Sequence, residues 1–168
     1  DLLERGTADG MWPNYSGSLA SEKHSPLDEI NSSNLDELMI VWRWSSPDNA
    51  LSAFQNTAFE ATPLMVDGVL YTSTSFSQVV AINASDGTSI WTYDPQAYKY
   101  ARPPNNGFLH RGVSYIEGRP GKFIHMPTGD GRLISLNAIS GEPVSQFGVL
   151  SNGVVDLLEG VPRLNEST

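Results

Sequence analysis

An internal repeat constrains the fold of this chain more than any other feature of its sequence. Residues 79–87 align with residues 133–141 at an offset of 54 residues, and both copies end in the pattern Asn-Ala-x-x-Gly. Each copy is predicted to form an apolar strand followed by a tight turn, in which glycine can adopt positive φ and asparagine can bond back to the backbone. A repeat of this kind indicates an array of similar units.

Each copy is predicted to belong to a four-stranded antiparallel unit. A further strand is expected after each turn, over residues 88–93 in the first copy and 142–147 in the second. Before the first copy, residues 62–73 contain two short apolar runs joined by Asp67 and Gly68, which is a strong hairpin signal. A meander of ~50 residues has the size of one blade of a β-propeller.

The predicted fold class is therefore all-β, a partial β-propeller with four-stranded antiparallel blades. Residues 1–168 are expected to form the N-terminal part of a single propeller domain of about three blades, with repeats near 62–93 and 112–147. Because propellers close with typically ~4–8 blades, the chain is interpreted as a fragment of a larger propeller. An open propeller exposes the face that its next blade would cover, and the chain alone is expected to be inactive.

The N-terminal segment shows weaker patterns. Asn34 and Glu37 have the spacing of a capping box, which predicts one helical turn before an apolar strand over residues 38–44. The four tryptophans are expected to pack between blades: Trp12, Trp42, Trp44 and Trp91.

Composition excludes several classes of protein. The formal net charge of −9 repels phosphate backbones, so nucleic acid is not expected as a partner. Hydrophobic residues make up 39% of the chain, which is too much for a disordered tail. The apolar runs are far shorter than the ~20 residues that a membrane span needs. With no cysteine, disulfides and thiolate metal sites are excluded.

Two charged residues stand at predicted strand entrances. Glu60 precedes the run Thr-Pro-Leu, and Arg111 precedes Gly-Val-Ser-Tyr. A solvated loop carboxylate is the ordinary interpretation of Glu60, and a surface or loop-bracing cation that of Arg111. Arg111 is nevertheless a candidate for binding an anion, because Gly112 beside it permits close approach of the backbone. The three histidines lack metal-ligand spacing and are interpreted as structural or surface residues.

Taken together, these motifs resemble the quinoprotein alcohol and sugar dehydrogenases, which use pyrroloquinoline quinone (PQQ). The resemblance covers nearly the whole chain in family order, and the glucose dehydrogenase-like branch is the more similar one. The matching segments are 12–17, 25–31, 34–35, 58–68, 91–95, 111–115, 128–134, 141–143, 147–148 and 153–157.

The resemblance implies an eight-bladed propeller with PQQ and Ca²⁺ near its axis, of which this chain would hold the first blades. Glu60 and Arg111 occupy the positions of family residues that contact PQQ. The resemblance also implies hydride transfer from an alcohol carbon to PQQ, with Ca²⁺ and an aspartate base assisting. The base and the calcium ligands are expected in later blades, so no catalytic or metal-binding residue is assigned within this chain.

Two departures from the family concern the wall of the cofactor pocket. Asn105 and Asn106 stand where alcohol-oxidising relatives carry adjacent cysteines, and Gly107 stands where glucose-oxidising membrane relatives carry a histidine. Both differences leave the substrate open between a sugar and an alcohol.

Two classes of function follow. The first is a periplasmic PQQ-dependent dehydrogenase that passes electrons to a quinone or cytochrome, with membrane association through a segment outside this chain left open. The alternative is a non-catalytic propeller scaffold or binding protein built from the same repeats, including a carbohydrate-binding propeller. A scaffold would need the Asn-Ala-x-x-Gly turns but not the pair Glu60 and Arg111.

Overall fold

Two four-stranded antiparallel sheets make up most of the regular structure in a computed structural model of the chain, which describes residues 6–51, 57–100, 107–148, 150 and 152–160. The helical elements among these residues are short 3₁₀ turns, at Ala8–Gly10, Leu35–Glu37, Pro47–Ala50 and Ala97–Lys99. None of the helices in the described ranges is long and apolar enough to span a membrane. These two open antiparallel sheets confirm the all-β class and agree with a partial propeller.

The first sheet is a simple meander. It consists of β2 (Leu64–Val66), β3 (Val69–Ser73), β4 (Val79–Asn83) and β5 (Ser89–Tyr93), each paired antiparallel with the next. The predicted hairpin at Asp67 and Gly68 is confirmed, with φ values of 48° and 79° that suit a tight β-turn. Trp12 forms an isolated bridge with Met65 at the edge strand β2.

The second sheet repeats this order but ends differently. It consists of β7 (Ser114–Gly118), β8 (Gly121–Pro127), β9 (Arg132–Asn137) and β10 (Val154–Asp156). The strand predicted over residues 142–147 is wrong: only Pro143 bridges to Leu136 there, and the chain then turns away before β10 returns to pair with β9. Pro143 has no N–H to donate to a ladder, which limits pairing at this position.

The Asn-Ala-x-x-Gly turns form as predicted. The side chain of Asn83 accepts a hydrogen bond from the Ser85 amide, and that of Asn137 accepts one from the Ile139 amide. Gly87 and Gly141 both have a φ of +74°. The two copies of the repeat therefore share one turn geometry.

The core lies between the two sheets. Its buried side chains come from both of them and from Met11, and they include Leu64, Tyr71, Ile124, Met126 and Leu136. Tyr71 and Trp91 of the first sheet both donate hydrogen bonds to the carbonyl oxygen of Ala138 in the second, at 3.2 and 3.1 Å. Neighbouring sheets are thus joined by packing and by polar contacts at the repeated turn.

Tryptophans cover the turn glycines in both repeats. The Trp91 indole lies over Gly141 and the Trp42 indole lies over Gly87, so close that a Cβ on either glycine would lie within 2.6 Å of the ring. Trp42 donates to the Ala84 carbonyl as Trp91 does to that of Ala138, each at 3.1 Å. The predicted packing between sheets is confirmed for Trp91, whereas for Trp42, whose segment belongs to no described sheet, it stays a prediction.

The strand predicted over residues 38–44 is wrong, although the 3₁₀ turn expected before it is present at Leu35–Glu37. Residues 38–44 form no regular element and pair with no strand among the described residues, and Met39 and Val41 are 79% and 77% exposed. A strand requires a hydrogen-bonded partner, and here only indole side chains attach the segment to the first sheet. The expectation of about three blades remains a prediction.

Candidate functional site

A short parallel ribbon brings the two predicted site residues together. It pairs β1 (Thr57–Phe59) with β6 (Phe108–His110), and its register places Phe59 opposite His110. Glu60 and Arg111 are the next residue on each strand, so they leave the ribbon side by side. Residues 45–59 lack periodicity and are predicted from the sequence to form a loop, which is wrong for β1. A three-residue strand that pairs in parallel with a distant segment leaves no local signal in the sequence.

Glu60 and Arg111 form an exposed ion pair. The Arg111 Nη2 lies 3.4 Å from the Glu60 Oε2, and the two side chains are 76% and 47% exposed. A pair this exposed contributes only about 0–1 kcal/mol to stability, so stability alone gives little reason for the pairing. The open guanidinium can instead accept a second anionic partner through its remaining N–H groups.

Arg111, the cationic member of the pair, stands at the rim of a cavity of about 530 Å³. The cavity is lined by apolar side chains and by polar groups from both sheets and the ribbon, including Thr62, Leu64, Leu109, Arg111, Val113 and Thr128. A mixed lining with a few polar groups is typical of sites for small organic ligands. The cavity size, its apolar walls and the cation at its rim fit a flat organic anion such as PQQ.

The main chain around Arg111 is held on both sides. The Arg111 carbonyl accepts a hydrogen bond from the Thr62 amide at 3.3 Å. Gly112 has a φ of +139°, and a Cβ there would lie 3.4 Å from the Thr62 carbonyl oxygen. Glycine therefore permits this conformation and close approach next to Arg111.

His110 is a buried residue of the site that sequence reasoning did not select. Its Nδ1 lies 2.6 Å from the Ser73 Oγ, and its Nε2 lies 2.7 Å from the Pro127 carbonyl oxygen. The ring therefore joins β6 to β3 in the first sheet and to β8 in the second. Burial lowers the pKa of His110, although the Pro127 hydrogen bond opposes this, so the imidazole is neutral at neutral pH. The sequence indicated only a structural or surface histidine here, which agrees with its burial but does not reveal these contacts.

A second arginine near the cavity is already committed to protein groups. Arg132 binds the Asp130 carboxylate through its Nε at 2.8 Å and donates from Nη2 to the Pro95 carbonyl at 2.8 Å. Burial raises the pKa of Asp130, but hydrogen bonds from Arg132 and Thr128 outweigh this and hold it below its usual range. Arg132 therefore braces a turn, and among the arginines that the structure describes Arg111 lines the cavity.

The remaining predictions about the pocket wall have different outcomes. Asn105 and Asn106 lie outside the described residues. Gly107 is described and has a φ of +74°, directly before β6. No three histidine or acidic side chains come together as a metal site in the part of the chain that the structure describes.

Sequence comparisons place these features in one family. Residues 12–168 match the family described as PQQ: Glucose/ethanol/alcohol dehydrogenase, beta-propeller domain. Quinohemoprotein alcohol dehydrogenase ADH IIB of Pseudomonas putida is 37% identical over 158 residues, which cover 94% of this chain and 21% of that protein. Quinoprotein glucose dehydrogenase of Escherichia coli is 32% identical over 174 residues, which cover 92% of this chain and 20% of that protein.

Solved structures agree with the sequence comparisons. The quinohemoprotein alcohol dehydrogenase of Comamonas testosteroni matches 95% of this chain and 21% of its own length, with a TM-score of 0.72 and 30% identity. A europium-containing methanol dehydrogenase matches 83% of this chain and 23% of its own length, with a TM-score of 0.64 and 26% identity.

The chain spans about a fifth of the length of the curated relatives it matches. Those relatives include alcohol and glucose dehydrogenases at similar identity, so the expected preference for the glucose branch is not distinguished by them. The family match covers nearly the whole chain, and the structural match to the Comamonas testosteroni enzyme covers 95% of it. This chain therefore belongs to the β-propeller family of PQQ-dependent glucose, ethanol and alcohol dehydrogenases.

Proposed function

We propose that the longer protein of which these residues form part is a PQQ-dependent dehydrogenase that oxidises an alcohol or a sugar. The observation that carries the proposal is the exposed Arg111 guanidinium, which lines the cavity and forms an ion pair with Glu60. Family membership supports the same function. PQQ, when bound, supplies an electrophilic quinone that takes a hydride from the carbon bearing the hydroxyl group.

Arg111 is proposed to bind PQQ through charge. PQQ carries three carboxylates and becomes more negative on reduction. A fixed guanidinium therefore attracts the carboxylates and stabilises the reduced form of the cofactor. Glu60, which contacts PQQ in this proposal, also restrains the guanidinium through the 3.4 Å ion pair. The two residues would thus bind and orient the cofactor, with no proton transfer assigned to either of them.

The remaining components of the reaction are assigned to the rest of the longer protein. Relatives are about five times as long as this chain, and Ca²⁺ ligands and the catalytic base are proposed to lie in the part that it lacks. Electrons are proposed to pass to a quinone or a cytochrome. We place the protein in the bacterial periplasm, with any membrane association provided by a segment outside this chain.

Binding of PQQ to the full-length apoprotein tests this function. We expect quenching of tryptophan fluorescence on titration with PQQ and Ca²⁺, followed by dye reduction with members of a panel of primary alcohols and sugars. Arg111→Ala should weaken PQQ binding about ten- to hundredfold, the loss expected for hydrogen bonds to a charged group. Glu60→Gln keeps the shape of the side chain and should cause a smaller loss.

Arg43→Ala is the matched control, because Arg43 is an exposed arginine on the extended N-terminal segment, away from the cavity. It should leave PQQ affinity unchanged. A folded full-length protein that does not bind PQQ would refute the proposal and favour the scaffold alternative. Equal affinities of the Arg111→Ala and Arg43→Ala variants would refute the role of Arg111.

A further inference from the structure

We propose that His110 is a positioning residue for Arg111, acting through the Nδ1 atom of a neutral imidazole. The geometry places His110 directly before Arg111, with its ring bonded to both sheets and to the amide that follows the arginine. The consequence for PQQ binding rests on the proposed function, whereas the arrangement of the backbone does not.

The hydrogen bonds fix the tautomer. The Pro127 carbonyl oxygen can only accept, so the Nε2 atom 2.7 Å away must carry the proton. In the neutral ring Nδ1 is then an acceptor, which receives the Ser73 hydroxyl at 2.6 Å and the Gly112 amide at 3.3 Å. Ser73 is fully buried, so the position of the ring is set by the first sheet.

These contacts clamp the backbone on both sides of Arg111. His110 is anchored before it, the Gly112 amide is bonded after it, and its own carbonyl accepts from the Thr62 amide. The Arg111 side chain itself has one ion-pair partner at 3.4 Å and is 76% exposed, so side-chain packing contributes little to its direction. The direction of the guanidinium therefore depends on the backbone, and the backbone depends on His110.

Two substitutions separate the two ring nitrogens. Asparagine places its Oδ1 near the position of histidine Nδ1, so His110→Asn keeps an acceptor for the Gly112 amide. Glutamine places its Nε2 near the position of histidine Nε2, so His110→Gln keeps the donor to Pro127 and loses that acceptor. Both substitutions are polar and both remove the imidazole ring.

The matched controls are His125→Asn and His125→Gln. His125 is a half-buried histidine on β8 whose ring packs against Phe147 at 5.2 Å, and it does not line the cavity. Replacing His125 shows how far PQQ binding responds to the loss of any histidine ring from the second sheet.

PQQ titration of the full-length apoprotein gives the first readout. We expect His110→Gln to weaken PQQ binding about tenfold and His110→Asn to remain within about threefold of wild type. The His125 variants should match wild type. In an Arg111→Ala background, His110→Gln should cause no further loss, because the residue it positions is absent. Equal affinities for His110→Gln and His110→Asn, whether both high or both low, would overturn the inference.

Hydrogen exchange of the Gly112 amide in the apoprotein gives a readout that does not involve PQQ. Exchange should be about tenfold faster in His110→Gln and close to wild type in His110→Asn. If the wild-type protein failed to bind PQQ, the proposed function would fall, and this exchange would still decide the role of His110. Unchanged exchange in His110→Gln would overturn it.

The tautomer can be measured in the wild-type protein if His110→Gln does not fold. Nitrogen-15 spectra of histidine-labelled protein, assigned by difference with His110→Asn, should show a neutral ring protonated at Nε2. A ring protonated at Nδ1 could not accept from the Gly112 amide, and that result would overturn the inference.

Discussion

Replacing Gly141 with alanine tests the contact that joins the two sheets. Gly141 has a φ of +74°, and an added Cβ would lie 2.6 Å from Cδ2 of the Trp91 indole. The substitution therefore combines an unfavourable backbone conformation with a collision between neighbouring blades.

The two effects can be estimated separately. A left-handed conformation costs an alanine about 1–2 kcal/mol. Displacing a packed ring to admit an extra methyl group costs about 1–3 kcal/mol. We therefore expect Gly141→Ala to lower the free energy of unfolding by about 2–5 kcal/mol.

Gly68 provides the matched control, because its φ is +79° and a Cβ there would meet nothing within 4 Å. Gly68→Ala should cost only the conformational part, about 1–2 kcal/mol. Urea unfolding of the full-length protein, followed by tryptophan fluorescence, measures the difference between the two variants. In a Trp91→Ala background the collision is absent, so Gly141→Ala should then cost no more than Gly68→Ala.

Two results would refute this reasoning. Gly141→Ala and Gly68→Ala could lower stability equally in the wild-type background, which would mean that the indole moves at no cost. The effect of Gly141→Ala could also be the same with and without Trp91, which would mean that the loss arises elsewhere in the turn.

Two further predictions concern titratable groups. Burial lowers the pKa values of His110 and His125, so the folded state binds fewer protons than the unfolded state below the ordinary histidine pKa of about 6.5. The free energy of unfolding should therefore be highest above that pH and fall as the pH drops toward the folded pKa values. Urea midpoints measured between pH 7.5 and 5.5 should decrease with decreasing pH, and His110→Asn should make this decrease smaller. A slope unchanged in that variant would contradict the assignment. Asp130→Asn should lower the free energy of unfolding by about 1.5–3 kcal/mol, because the Asp130 side chain is only 8% exposed and its charge binds Arg132. Thermal or urea unfolding measures the loss of stability, and Asp36→Asn, at an exposed position, is the control. Equal stability of the two variants would argue against a contribution from the ion pair.

The sequence predicts local features of this fold well. The turns with Asn83 and Asn137, and the hairpin at Asp67, depend on residues close together in the chain, and all three form as expected. Of the two strands that were wrong, the one over residues 38–44 depends on a distant partner, whereas the one over residues 142–147 would have paired with β9 across the adjacent turn. Residues 38–44 find no strand to pair with among the described residues, and Pro143 interrupts a strand that the repeat alone would continue.

The same distinction applies to the candidate site. Family resemblance selected Glu60 and Arg111, and the structure brings them together through a parallel ribbon whose two strands lie 51 residues apart. Their role in binding PQQ stays a prediction. The sequence did not identify His110 as a site residue, because its three hydrogen-bond partners come from β3, from β8 and from the residue after Arg111. Only the folded arrangement reveals that set.

Trp42 packs on Gly87 at the edge of the first sheet and attaches residues 38–44 to it. Trp42 meets the first sheet as Trp91 meets the second, so residues 38–44 lie where the outermost strand of a preceding blade would lie. No strand among the described residues pairs with their backbone N–H and C=O groups, so we expect these groups to pair with a segment distant in sequence. A pairing between segments distant in sequence carries a high loop-closure entropy, so we expect it to form late in folding and to open early in unfolding.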